Sequence, residues 1–451
     1  MYGQLLLTTC IALCVQSTLS YPRNCMFAGD FVKCMRMDLR ENGMDRYFLK
    51  GHNAPTCNDG SSAGYYFRSN PESSEWIIYL EGGWFCSEPK ECFRRTVEKG
   101  FPTVTSSNSW KAKRMGDGLL SSVESENKEF WKANHVFIPY CSSDFWIGDT
   151  IADGVGDTKI AFHGSRIVTD VVKDLLSKGL KDADRLILAG SSAGGIGVLQ
   201  NIDRVSNLIS SHVNKKVDVR GLVDSAWVLD VPPVPGCEDC NPNLVFKKAI
   251  EYWNATLHTS CSQAYTEEKQ KCLFAANVFK YIQRPIFVFQ WLMDTVQIMT
   301  ENSYQMNFDN KYLKSLGIRM RNSIHGSIDK TKDGVFAASC ASHTGLATTS
   351  PMYSITIKDS TLNHALSCWL GSSKITSSCK KRLMDKCTGL HCHTNCPITS
   401  HPVSGLEIHL PSKKKEREKT DFMQLDDRAK YFLELLRQMP RSDSSSRQIK
   451  G

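Results

Sequence analysis

Short apolar runs recur along the chain and predict the strands of a buried sheet. They are rich in isoleucine, leucine, valine and aromatic residues, and glycine closes several of them. Runs of this kind are typical of strands that are buried on both faces, as in a parallel sheet. The predicted strands lie at 76–80, 135–140, 186–189, 219–223 and 285–291.

A helical period of apolar residues separates the second run from the third. Apolar side chains from Ile160 to Leu176 fall on one face of a predicted helix, and Gly179 provides its end. Val198, Leu199 and further apolar residues at helical spacing follow the third run. Strands that alternate with helices indicate the α/β class.

The N-terminal region predicts a signal peptide over residues 1–20. Residues 5–15 are largely apolar, and small residues at Thr18 and Ser20 fit the site that a signal peptidase reads. The stretch is too short to span a bilayer, which needs about 20 apolar residues. We therefore expect a secreted, extracellular protein without a transmembrane segment, whose mature chain starts near Tyr21. The alternative is a buried N-terminal helix.

The C-terminal region differs from the rest of the chain. A charge run at 412–419 predicts a solvated linker, and apolar residues at helical spacing between Phe422 and Leu436 predict a short amphipathic helix before a serine-rich end. We predict one domain over residues 21–405 and a basic, partly disordered tail over 406–451.

The composition and the cysteine content fit a secreted globular protein. With 23% charged and 41% hydrophobic residues in 451, the chain is globular, which excludes disordered and collagen-like classes. Without Cys10 and Cys14 of the signal, sixteen cysteines remain, an even number as a disulfide framework requires. The sequon at Asn254 predicts glycosylation. Local cysteine groups are Cys86 with Cys92, then Cys237, Cys240, Cys261 and Cys272, and then Cys368, Cys379, Cys387, Cys392 and Cys396.

Zinc is the alternative use of these cysteines. Cys237 and Cys240, and the cysteines and histidines of 387–396, have the spacing of metal ligands. Neighbouring thiols in an oxidising compartment are more often bridged, so we expect disulfides and neither a metal nor a cofactor.

The segment Gly190-Ser191-Ser192-Ala193-Gly194 matches the G-x-S-x-G pattern of a nucleophile elbow. A buried strand precedes it and a helix follows, which is the context that places a serine on a strained turn, with glycines where strand and helix approach closely. We therefore predict that Ser192 is a nucleophile; the alternative is a glycine-rich turn.

A serine nucleophile needs a base, an acid and donors for an oxyanion. The glycine-rich turn of 80–84 can provide backbone N–H groups, with Ala193 next to the nucleophile as their partner. In hydrolase order the acid precedes the histidine, and Asp294 follows the 285–291 strand. Among the downstream histidines the pattern does not choose between His343 and His364.

Five segments together resemble the pectin acetylesterase family, at 79–86, 137–144, 188–195, 289–294 and 340–343. The resemblance covers about 57–396, with the motifs in one order. Within the family the chain is similar to secreted carboxylesterases that remove palmitoleate from a serine of Wnt proteins. This implies an α/β-hydrolase-like fold, a mostly parallel sheet flanked by helices, with a disulfide-stabilised cap, and an activity that antagonises Wnt signalling.

The resemblance also assigns residues. It implies Ser192 as nucleophile, Asp294 as acid and His343, rather than His364, as base. Oxyanion donors fall on Gly83, Trp84 and Ala193, and bridges join Cys57 to Cys141 and Cys86 to Cys92. Residues that flank these segments predict an apolar acyl pocket, namely Trp84, Phe85, Val228, Phe274 and Val296.

Several positions depart from the related esterases. Val228 replaces an aromatic of their acyl pocket, Val296 and Thr300 differ from the smaller and apolar residues expected there, and Arg284 replaces a cysteine of the vertebrate proteins. The triad is intact, so these departures concern the fit of the acyl chain.

Basic clusters account for the net charge of +8. A secreted chain excludes nucleic acid as their partner, and a sulfated glycan is the natural polyanion; the resemblance adds heparan sulfate on glypicans. Scattered solvated lysines are the alternative. The clusters are 111–114, 215–216, 380–382 and 413–415.

Two alternatives to the palmitoleoyl esterase remain. One is a sugar O-acetylesterase on the same fold. The other is a non-catalytic secreted binding protein, against which the intact triad argues.

Overall fold

Each of the predicted apolar runs overlaps a strand of the structure. The computed structural model describes residues 43–97, 104–232, 241–301, 310–348, 350–371, 379–387, 389, 392–393 and 395–397. The predicted signal peptide and the tail from 406 lie outside these residues. The strands are β1 Met44–Phe48, β2 Gly64–Arg68, β3 Glu75–Leu80, β4 Lys113–Arg114, β5 Asn134–Ile138, β6 Thr150–Asp153, β7 Lys159–Phe162, β8 Arg185–Ser191, β9 Asp218–Asp224, β10 Ile286–Asp294, β11 Gly334–Ser342, β12 Thr356–Ile357, β13 Ser360–Thr361 and β14 Arg382–Met384.

Helices connect and flank these strands. In the described part of the chain the α-helices are α1 Pro89–Val97, α2 Gly164–Leu176, α3 Ala193–His212, α4 Pro242–Tyr252, α5 Thr259–Ala264, α6 Ala275–Val278, α7 Thr295–Glu301, α8 Asn310–Ser327, α9 Ser350–Ser354 and α10 Leu362–Leu370. None of the helices among these residues has the length and apolar character to cross a membrane.

The described residues form one large mixed sheet. Its order is β14-β11-β10-β9-β8-β3-β5-β2-β1-β4. All neighbours from β14 to β5 are parallel, while β2, β1 and β4 add an antiparallel edge. All five predicted strands lie in the parallel part, which confirms the α/β-hydrolase-like fold. Ligands of such sheets bind outside the carboxyl ends of the strands.

One predicted boundary is wrong. Ile160, which the helical period assigned to a helix, belongs to β7 and pairs with Ala152 of β6 in a two-stranded antiparallel sheet. Helix α2 begins only at Gly164, whose N–H donates to the buried carboxylate of Asp144 at 2.8 Å. The error arose because a strand residue and a helix residue are equally buried here, so the period alone could not separate them. The predicted end is close, since Gly179 lies just beyond α2 with a φ of 110°.

The chain between β9 and β10 forms a cap built from α4, α5, α6 and a 3-10 turn at Lys269–Leu273. A bridge between Cys261 and Cys272 closes it. Gln200 of α3 ties the cap to the sheet, because its amide donates to the carbonyl of Cys272 at 2.7 Å and accepts from the N–H of His258 at 2.9 Å.

The bridges implied by the resemblance are present. Cys57 is bonded to Cys141 and Cys86 to Cys92. The cysteines that could have been zinc ligands near the C-terminus are also bridged, whereas Cys237 and Cys240 lie outside the described residues. Further bridges join Cys340 to Cys396, Cys368 to Cys379 and Cys387 to Cys392.

Candidate active site

Ser192 lies on a strained turn between β8 and α3. Its φ of 56° and ψ of −123° fall outside the regions that serine normally adopts. The turn is held by the N–H of Ser192, which donates to the carbonyl of Asp224 at 2.8 Å. A serine in this conformation, between a buried strand and a helix, has the geometry of a nucleophile elbow.

The glycines on either side of Ser192 are required by close backbone contacts. A Cβ added to Gly190 would lie 2.4 Å from the carbonyl oxygen of Gly194. A Cβ added to Gly194 would lie 2.0 Å from the carbonyl oxygen of Leu80. Both distances are far below van der Waals contact, so only glycine allows strand, helix and β3 to meet here.

The glycine-rich loop after β3 lies against this turn. A Cβ on Gly82 would be 2.6 Å from the carbonyl oxygen of Ser191 and 2.9 Å from Cβ of Ser192. Gly83 and Trp84 follow, the latter with a φ of 65°. Ala193 begins α3, so its N–H has no partner within the helix. The loop and the helix start thus adjoin Ser192 from two sides.

A half-buried glutamate fixes the same loop. The side-chain carboxylate of Glu81 accepts from the N–H of Tyr140 at 2.9 Å. The backbone carbonyl of the same residue accepts from the indole N–H of Trp146 at 3.0 Å. Removal from water raises the pKa of Glu81 to about 7, against the opposing effects of Arg114 and of the Tyr140 hydrogen bond.

His343 and Asp294 meet at the ends of adjacent parallel strands. The register of β10 and β11 pairs Asp294 with Ser342, the residue before His343. Nδ1 of His343 lies 3.0 Å from each carboxylate oxygen of Asp294. A carboxylate can only accept, so Nδ1 donates and Nε2 is left as the basic nitrogen.

Asp294 is itself fixed by three further donors. The N–H groups of Val296 and Gln297, at the start of α7, reach its Oδ1 at 3.0 and 3.3 Å. The side-chain amide of Gln290 donates to its Oδ2 at 3.1 Å. The acid is therefore oriented by a helix start and by its own strand, and it is almost fully buried.

The environment of His343 favours its protonated form. Burial lowers its pKa, but the negative charge and hydrogen bond of Asp294, with a contribution from Asp224, outweigh burial and raise the pKa above 6.5. This balance is the one expected for a histidine that becomes an imidazolium during a reaction.

His364 lies apart from this pair. It belongs to α10, where its N–H donates to the hydroxyl of Thr361 and its Nε2 is 3.7 Å from the sulfur of Cys368. No hydrogen bond joins it to Asp294 in the described part of the chain.

Three residues of the predicted acyl pocket, Trp84, Phe85 and Phe274, belong to one connected apolar region. Phe85 packs on Trp84 with ring centroids 5.0 Å apart and on Phe246 at 6.0 Å, and Phe246 packs on Phe274 at 5.5 Å. Val228 accepts a backbone hydrogen bond from the residue after Phe274. Phe85 and Phe274 are buried, while Trp84, Val228 and Val296 are half-buried. Their role as a pocket stays a prediction.

The sequon residue Asn254 is exposed, directly after α4, with its side-chain amide donating to the carbonyl of Asp149 at 3.1 Å. Its glycosylation stays a prediction.

Sequence reasoning missed two buried polar residues beside the site. The carboxylate of Asp224, at the end of β9, accepts from the hydroxyl of Ser191 at 2.5 Å, and the hydroxyl of Tyr79 lies 2.6 Å from the same serine oxygen. Asp224 directly follows the predicted strand 219–223, which contains an arginine, and only the strand register, which pairs Asp224 with Ser191, makes it conspicuous.

Comparison with known proteins identifies a family and several relatives. The Pectinacetylesterase family matches residues 40–397. Palmitoleoyl-protein carboxylesterase notum1a of Danio rerio is 38% identical over 81% of this chain and 75% of its own length. Palmitoleoyl-protein carboxylesterase NOTUM of Homo sapiens is 35% identical over 85% of this chain and 79% of its own. NOTUM of Drosophila melanogaster is 34% identical over 71% and 47%. The resemblance seen in the sequence is confirmed.

Proposed function

Since the chain belongs to the pectinacetylesterase family, we propose that it is a serine carboxylesterase that removes palmitoleate from a serine of Wnt proteins and so antagonises Wnt signalling. The observation that carries the proposal is the His343–Asp294 pair at the carboxyl ends of β11 and β10, on the same edge of the sheet as the serine elbow at the end of β8, with β9 between β10 and β8. The names of the related carboxylesterases support the palmitoleoyl substrate.

The first step is attack on the ester. Ser192 Oγ adds to the carbonyl carbon while Nε2 of His343 takes its proton, and Asp294 stabilises the imidazolium. The carbonyl oxygen becomes an oxyanion, which the N–H groups of Gly83, Trp84 and Ala193 stabilise. The tetrahedral intermediate collapses when His343 returns the proton to the leaving serine hydroxyl of the substrate protein.

The second step releases the fatty acid. Water attacks the acyl-Ser192 ester as His343 accepts a proton from it, and a second oxyanion forms in the same position. Collapse frees palmitoleic acid and returns the proton to Ser192 Oγ. No cofactor takes part in either step.

An apolar region next to the site favours a long acyl chain over acetate. Trp84 is a half-buried part of that region, and Val228, whose carbonyl accepts from the residue after Phe274, is also half-buried. Valine at 228, in place of a larger aromatic side chain, leaves room for the acyl chain. A sugar O-acetylesterase would gain nothing from such a surface.

The acyl preference tests the function directly. We expect kcat/KM to rise about tenfold for each pair of carbons from an acetyl to a C8 ester, because each buried methylene contributes about 0.8 kcal/mol, and we expect release of palmitoleate from a palmitoleoylated peptide. Val228→Trp should reduce turnover of the C8 ester and the peptide but not of the acetyl ester. A wild-type rate that is highest for acetate and absent for C8 would favour the sugar deacetylase, and absence of all turnover would favour the binding protein.

We propose an extracellular location. Several disulfide bridges join cysteines of the described residues. Such bridges are typical of secreted proteins, which fold in an oxidising compartment. The predicted signal peptide and the sequon at Asn254 fit the same location.

A sulfated glycan such as heparan sulfate is a proposed partner. Two lysines of the basic clusters are already paired, Lys113 with Asp45 and Lys215 with Asp184, both at 2.6 Å. In the cluster 380–382, Lys381 donates to the carbonyl of Thr331 at 2.7 Å, whereas Lys380 and Arg382 are exposed. We propose that these exposed groups contribute to glycan binding; the cluster 413–415 lies outside the described residues. We expect the protein to be retained on heparin at physiological salt and the variant with Lys380, Lys381 and Arg382 changed to Gln to elute earlier; equal elution of the two would count against this surface.

A further inference from the structure

Asp224 is a fully buried carboxylate at the end of β9, surrounded by donors. Its Oδ2 accepts from the N–H groups of Gly345 and Leu346, at 2.8 and 2.9 Å, as well as from Ser191. Its Oδ1 accepts from the hydroxyl of Ser225 at 2.8 Å. Backbone N–H groups can only donate, so the hydrogen bonds fit the ionised carboxylate.

These hydrogen bonds connect two segments whose relative position the proposed chemistry depends on. Ser191 immediately precedes Ser192, and the carbonyl of Asp224 also holds the N–H of Ser192. Gly345 and Leu346 belong to the loop that follows His343. The hydroxyl of Ser225 completes the connection, since it accepts from the N–H of Thr344 at 2.9 Å.

The charge of Asp224 also reaches the base. After Asp294, it is a second carboxylate that raises the pKa of His343. Its own pKa is raised by burial, which its four hydrogen bonds oppose. Among the described residues, Tyr79 of β3 contacts Ser191 and is influenced by Glu81 and by Arg114 of β4. Arg114 and Asp117 line a cavity together with Tyr79 and Leu346.

We propose that Asp224 is a positioning residue, a second carboxylate that holds the nucleophile elbow and the histidine loop together through its hydrogen bonds to Ser191, Gly345 and Leu346. The inference rests on the proposed esterase function. Asp224 does not contact the reacting atoms; it acts through Ser191 and through the backbone of 344–346.

The test compares Asp224→Asn with the wild-type protein by two readouts. In ester hydrolysis we expect kcat to fall about ten- to a hundredfold with KM within about twofold, because the reacting groups are misplaced while the ester surface is unchanged. The acid limb of kcat/KM should move to lower pH, since the lost negative charge lowers the pKa of His343. NMR titration of the His343 ring, assigned by its absence in His343→Gln, should show the same direction without any substrate.

Asp333→Asn is the matched control. Asp333 is equally buried, and it anchors the N–H groups of Ile286 and Asp329 at the opposite ends of the strands. Loss of this carboxylate should lower the free energy of unfolding. It should leave unchanged the pH at which the acid limb of kcat/KM falls and the midpoint of the His343 titration.

Ser225→Ala keeps the charge and removes one connection, which covers the case in which Asp224→Asn does not fold. We expect kcat to fall several-fold, with the His343 titration near that of the wild type. The inference is overturned if the His343 titration is the same in Asp224→Asn and the wild type, or if Ser225→Ala retains full kcat. A wild-type protein without ester turnover, but with the expected NMR shift in Asp224→Asn, would overturn the proposed function and leave the charge coupling in place.

Discussion

Replacement of Ser192 by alanine is expected to lower kcat for ester hydrolysis by roughly 10⁶-fold, the scale on which removal of a triad serine acts. The hydroxyl is the group that forms the acyl intermediate, and neither the loop after β3 nor His343 can replace it. Alanine fits the same turn, so folding and secretion should be unchanged. The measurement is turnover of a C8 ester together with covalent labelling by a fluorophosphonate.

Ser206→Ala is a suitable control for this variant. Ser206 is buried on the same helix, α3, away from the turn. It should keep both turnover and labelling. Strong labelling of Ser192→Ala, or turnover within a hundredfold of the wild type, would show that another residue is the nucleophile.

Replacement of His343 by glutamine should be almost as severe, at roughly 10⁵-fold or more in kcat, because Ser192 would lose the group that takes its proton. His364→Gln is the matched control. That histidine contacts Thr361 and Cys368 rather than Asp294, so its replacement should change kcat by less than about twofold. The assignment of the base would be wrong if the two variants showed the reverse behaviour.

The parts of the molecule that the sequence could predict are those with a local signal. The runs at 76–80 and 186–189 are apolar because both faces of their strands are covered, and the turn at Ser192 needs glycines within two residues of it. The choice of His343 over His364 had no such signal. It came from the resemblance, and in space it depends on the β10–β11 register that pairs Asp294 with Ser342.

Other features depend on contacts between distant segments and could not be predicted. Asp224 is an ordinary strand end in the sequence, and only pairing with Ser191 and the return of the chain at 345–346 give it three of its four donors. Ile160 lies in the hairpin formed by β6 and β7, where it pairs with Ala152. The bridge from Cys340 to Cys396 joins residues 56 apart, and nothing in their spacing distinguishes it from other pairings within the cluster.

The bridge between Cys340 and Cys396 also affects the stage of biosynthesis at which the protein can begin to hydrolyse esters. Cys340 lies on β11, three residues before His343, and β11 is enclosed by β10 on one side and by β14 on the other. Chains emerge from the ribosome N-terminus first. The serine elbow is therefore made early, while the strand that carries its base is held by β14 and Cys396, which are made later. A nascent chain that has not yet reached Cys396 lacks the bridge that fixes this strand, so we expect hydrolytic activity only after synthesis has passed residue 396.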